Sequence, residues 1–238
     1  KTGNRAALNA NANATGSNSI ALGPNATAAG ASSIAIGDEA VTTTHQGTIA
    51  IGTNAQSSNS NATSIGRDSI AIGTDSVAIG LTTNASGTSA ISIGKLAKSS
   101  GASSVALGQE ANASDAAAIA LGYRTAAGSW ATAVGSNATA SGATSVAMGN
   151  NVLASAENAT AIGRDTRATE AHTTAVGRGS VASAVNATTL GSVALAGKEG
   201  ALALGRGATA NTTAGDVAIG DSSVTAATNA ISALTING

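Results

Sequence analysis

The sequence predicts an all-β fold, a parallel β-solenoid with coils of about 14 residues, and three observations predict it. A glycine closes a recurring pentapeptide from one end of the chain to the other, as in SIALG at 19–23, SIAIG at 33–37, SVALG at 104–108 and DVAIG at 216–220. From Gly23 to Gly220 these anchor glycines recur mostly 14 residues apart. Large aliphatic residues fall one and three residues before the anchor, which is the spacing of one strand face. Fourteen residues hold two short strands and two turns, whereas helical repeats need about 33 or more.

Composition rules out an ordinary globular core. Of 238 residues only 40 are Val, Ile or Leu, against 58 Ala and 30 Gly, and there is no Phe and a single Trp and Tyr. With 11 basic and 12 acidic residues the chain lacks the electrostatic footprint of a nucleic-acid or anionic-membrane binder. The lack of Cys excludes disulfides and thiolate metal sites. No apolar run approaches the roughly 18 residues that span a bilayer, and the opening KTGNRAALNANANATG has no signal-peptide core. Any export signal or anchor is therefore expected outside this segment, and residues 1–238 are read as one repetitive domain.

The first strand of each coil ends at the anchor. Its two aliphatic columns, for example Ile20 and Leu22 or Val105 and Leu107, are expected to face the interior. The second strand supplies the opposite wall with small residues three and five after the anchor, such as Ala26 and Ala28 or Ala111 and Ala113. Charges such as Asp38-Glu39, Arg67-Asp68 and Arg164-Asp165 mark solvated corners just after the anchor. The remaining column, two and four residues before the anchor, is Ala, Ser or Thr throughout except for Asp216. A solvated strand has no reason to exclude long side chains so thoroughly, so Ala21, Ala35, Ala50, Ala106, Ala147, Ala161 and Ala218 are expected to form a subunit interface.

Leu8-Asn9 with Ala12 and Ala14 fits a degenerate first coil, and Ile231 to Leu234 a last one. Gly66, Gly73 and Gly80 create a conflict of frame, because seven residues are half a coil. Ile70 and Ile72 then occupy a second strand with their side chains outward, and a one-residue slip is expected to bury them.

These residues closely resemble the head repeats of trimeric autotransporter adhesins, the YadA-like heads, whose signature reads Asn-Ser-Val-Ala-Ile-Gly-x-x-Ser. Asn18, Ser19, Ile20, Ala21, Leu22 and Gly23 follow it, with Ala26 in place of the last Ser. Ser69, Ile70, Ala71, Ile72, Gly73 and Ser76 follow it with Asp68 in place of Asn. The resemblance implies a left-handed β-roll, a homotrimer, and display on the outer membrane surface of a Gram-negative bacterium. It also implies attachment to host cells or extracellular matrix, with collagen the first ligand to consider. The family's stalk and membrane anchor have no counterpart in this segment, from which no direct membrane contact is expected.

No catalytic constellation or cofactor motif is present, and no enzyme, cofactor or metal is expected. His45 and His172 are nine coils apart and read as turn residues. Tyr123 and Trp130, in neighbouring turns beside Arg124, suit either a recognition surface or the capping of a coil edge. Together with Lys98 and Arg167 on the second strand they form the candidate ligand surface. Nine Asn-x-Ser/Thr sequons follow from composition. Hexapeptide acyltransferases need coils of about 18 residues, calcium-binding nonapeptides need a Gly-Gly-x-Gly-x-Asp motif, and ice-binding solenoids need outward Thr columns. None of these fits. A passive spacer rod is the strongest alternative to an adhesive head.

Overall fold

The computed structural model describes residues 5–9 and 11–226. Within them the chain winds as a parallel β-solenoid with no helix. First strands such as Ser19–Leu22, Ile34–Ile36 and Val105–Leu107 stack into a 16-stranded sheet, and second strands such as Thr27–Ala28 and Lys98–Ser99 into a 15-stranded one. Like residues stack: Ala35 pairs with Ala21 on one side and with Ala50 on the other. Arg5–Leu8 adds the degenerate first coil, with Leu8 beside Leu22. The coil expected at Ile231 to Leu234 lies outside the described residues.

The interior corrects the sequence reading. Ala21, Ala35, Ala50, Ala106, Ala147, Ala161 and Ala218 are at most 3% exposed within a single chain. They face the equally buried Ala26, Ala28, Ala111 and Ala113 of the second strand. Both walls are therefore small. The aliphatic columns point out, with Ile20 43% and Leu107 46% exposed. Long side chains are excluded from this column by close approach to another backbone, and that backbone is the chain's own second strand. The Ala column is core and not subunit interface.

Several hydroxyl groups in this thin interior are tied to their own corners. Ser19, Ser33, Ser104 and Ser145 each donate to the carbonyl three residues back, at 2.7 Å. Besides the anchor glycines, the corners hold residues with positive φ, such as Glu39 at 55° after one strand and Ser32 at 56° after the other. The anchor glycine is required for two reasons. Gly37 has φ 131°, and a Cβ there would stand 2.6 Å from the carbonyl oxygen of Gly52 in the next coil.

Irregular spacings change only the corner between a second strand and the next first strand. One extra residue enters at 43–47 and another at 211–215, and one is missing at 128–130, yet Ile34 still pairs with Ile49, Leu202 with Val217 and Ile119 with Thr132. Asp216, the exception in its column, serves the enlarged corner. Its carboxylate accepts from the backbone N–H of Thr212 and Thr213 and from the hydroxyls of Thr213 and Thr225, at 2.6–2.8 Å.

The slip expected at Ile70 and Ile72 does not occur. Ile70–Ala71 pairs in regular register with Gln56–Ser57 and Asn84–Ala85. Ser69 and Ala71 are buried, Ile70 is half-buried and Ile72 is 40% exposed. Both half-coils obey one rule, small residue in and variable residue out, so a signature pentapeptide fits either strand without conflict.

Candidate binding surfaces

Three surfaces follow from this geometry: the outer face of the first sheet, the outer face of the second, and the two corners. The first is apolar along its whole length. Its columns run from Ile20 and Leu22 to Val217 and Ile219, with only Thr63, Thr132, Thr160, Thr174 and Thr188 as polar members and no charge. Fifteen strand spacings make a strip about 70 Å long and about 10 Å wide, roughly 700 Å² of continuous apolar surface, which is above the patch size usual on a monomer. The sequence reading missed this face because it assigned the same columns to the core. The available signal was that both other columns are small, leaving no wall against which large side chains could pack.

The second face is mixed. Gln56, Lys98, Asn112 and Arg167 stand exposed among half-buried Val41, Leu153, Val181 and Leu195. Lys98 and Arg167 are five strands apart, about 24 Å. A shallow groove of about 290 Å³ beside Lys98 is lined by Ile70, Thr82, Asn84 and Leu96. A smaller notch of about 130 Å³, lined by Ser114, Ala126, Gly128 and Ser141, lies beside the shortened corner.

Tyr123 and Arg124 form the corner after Gly122, whereas Trp130, 67% exposed, occupies the opposite corner of the same coil. The Arg124 guanidinium lies 5.0 Å from the centre of the Tyr123 ring and donates through Nε to Glu110 Oε2 at 2.6 Å. That bond, followed by one from the Gln109 amide, holds the Glu110 carboxyl below its ordinary pKa, and Glu110 raises that of Arg124. Of the five candidate ligand residues the structure thus joins Tyr123 and Arg124 and spreads the others along and around the rod. His45 and His172 are exposed in corners far apart, and among the described residues no group of three His, Cys, Asp or Glu is placed to hold a metal.

A continuous solenoid with one apolar face and two repetitive corners defines a class of elongated, repeat-built proteins. Within it, the family model described as YadA head domain repeat (2 copies) matches residues 14–40, 46–69, 71–97, 99–125, 126–151, 154–180, 168–195 and 196–223. These segments cover well over half of the chain, which belongs to the YadA head repeat family. The family is one of bacterial surface adhesins and not of enzymes. Comparison with curated proteins gives no match. Among solved structures, the crystal structure of the collagen-binding domain of Yersinia adhesin YadA is similar at 20% identity, over 97% of this chain and 82% of that one, with a TM-score of 0.26.

Proposed function

We propose that this chain is the head of a trimeric adhesin on the outer surface of a Gram-negative bacterium, attaching it to host cells or extracellular matrix. The observation that carries the reading is the uncharged aliphatic face running the full length of a YadA-type head repeat. Three copies set around an axis parallel to the rod bury that face. The second sheet and the sides of the corners turned away from the axis are then left outward. Contacts repeated along many coils and on three chains sum through effective concentration, so shallow surfaces suffice.

A passive spacer is the second reading. It is favoured by the outward column of small residues on the second sheet, Ser86, Ser100, Ser114, Ser141 and Ser155, and by the scatter of the candidate ligand residues. Binding of the purified head to collagen, fibronectin, laminin and epithelial cells separates the two. Saturable binding to one of them supports the adhesive head, with collagen first because the signature resemblance implies it. Saturable binding to none replaces it with the spacer.

A further inference from the structure

The two edges of the apolar face carry different charge. The edge preceding each first strand bears Asp75, Asp115, Glu157, Glu170 and Glu199, besides Asp216, whose oxygens are taken by its own corner. Lys198 is its one Lys or Arg among the described residues. None of these carboxylates has an ion-pair partner within the described residues, although like charges stacked along an edge repel. The opposite edge holds the four ion pairs among the described residues: Arg67 with Asp68, Arg124 with Glu110, Arg164 with Asp165 and Arg206 with Asp221. Those arginine side chains are 56–71% exposed, and each guanidinium has five N–H donors, more than one carboxylate uses.

Heights along the rod match. Arg67 and Asp75 belong to one coil, and Arg124 lies half a coil beyond Asp115. Arg164 falls between Glu157 and Glu170, and Arg206 lies half a coil beyond Glu199. Half a coil is about 2.4 Å.

Around a three-fold axis parallel to the rod, one edge of each copy lies beside the opposite edge of the next, at equal height. An antiparallel face-to-face pair instead sets acidic edge on acidic edge. We propose that Arg67, Arg124, Arg164 and Arg206 of one copy form ion pairs with Asp75, Asp115, Glu157, Glu170 and Glu199 of the next. These edge pairs select the parallel cyclic arrangement over its antiparallel rival. The inference rests on the trimer reading of the aliphatic face, which supplies most of the affinity, while the exposed pairs supply register and orientation.

The test uses the 238-residue chain in three variants: Asp75→Lys, Asp115→Lys, Glu157→Lys and Glu199→Lys together; Arg67→Glu, Arg124→Glu, Arg164→Glu and Arg206→Glu together; and all eight. Within the described chain the lysine variant breaks no ion pair and only the exposed hydrogen bonds from Asn61 to Asp75 and from Ser114 to Asp115, so a salt-dependent change in association with the fold intact reports contacts between copies. At low salt it is expected to dissociate at least about tenfold more readily than wild type by analytical ultracentrifugation, and at 0.5 M salt to differ little. The eight-fold variant is expected to regain most of the loss, and circular dichroism checks that each chain is folded. A trimeric wild type with an equally tight lysine variant, or no recovery in the eight-fold variant, overturns the edge pairing and leaves the trimer standing. A monomeric or antiparallel dimeric wild type overturns the trimer itself.

Discussion

Ser99 and Ser104 meet across the interior, Oγ to Oγ at 2.6 Å, while Ser104 also donates to the Gly101 carbonyl at 2.7 Å. They stand on opposite walls, so the gap between the sheets at this height is two hydroxyl groups wide. No Leu or Ile fits there, which is why the aliphatic columns are outside.

Two substitutions probe that gap. Ser104→Ala removes the hydroxyl's bonds to the Gly101 carbonyl and to Ser99, while the Ser104 N–H still donates to Gly101 and Ser99 still donates to the Ser104 carbonyl, so it is expected to cost about 1 kcal/mol. Ser104→Leu overpacks the same space and is expected to cost more, by about 1–3 kcal/mol beyond the lost bonds. Chemical denaturation of both variants checks the order. A leucine variant as stable as the alanine one contradicts a narrow interior.

Buried hydroxyls without partners should respond in the opposite direction. Ser92 Oγ and Thr189 Oγ1 are buried and unpaired in the first-strand column that is otherwise mostly Ala. Ser92→Ala is expected to stabilise by about 1 kcal/mol, raising Tm by about 2–4 °C. A lowered Tm would show that the hydroxyl has a partner.

Val193 is a β-branched residue at φ 60°, in a column where other coils place Gly179 and Gly207. A left-handed conformation costs such a residue about 1–2 kcal/mol. Val193→Gly is expected to stabilise the fold and Val193→Ile to gain nothing, as read by thermal unfolding.

Most of the fold was legible in the sequence because period, strand spacing and corner chemistry are all local. The anchor glycines gave the coil, and the columns gave which residues share a face. Alternation alone does not say which face is inside. Ile20 and Ala21 point opposite ways, and hydrophobicity assigns Ile20 to the core, whereas the available volume assigns Ala21. The same choice hid the apolar face, and it created the supposed conflict at Ile70. The ligand residues were legible only as residue types: their neighbours are set by coil height and corner, which place Trp130 on the far side from Tyr123.

Asp216 gives the structure an acid dependence of definite sign. Hydrogen bonds from Thr213, by hydroxyl and then by backbone, with others from Thr225 and Thr212, hold its carboxyl well below the usual carboxylate range. A carboxyl depressed on folding adds stability above its unfolded pKa of about 3.9, and loses it as pH falls through the folded value. Asp216→Asn is therefore expected to melt below wild type at pH 7, with the difference shrinking steadily below about pH 4. A difference independent of pH would show that the carboxylate charge is not what holds the corner.

The central claim is that the aliphatic columns form an outer, copy-to-copy face over an Ala-rich interior. Sedimentation equilibrium of the double variant Leu107→Lys, Leu121→Lys, alongside its far-UV circular dichroism, tests it most directly. Two lysines on an outer face leave each chain folded and separate the copies, so the expected result is a β-rich monomer for the variant and a trimer for the wild type. Two lysines in a core leave an uncompensated buried charge and unfold the chain. An unfolded variant, or one that remains a trimer, contradicts the account.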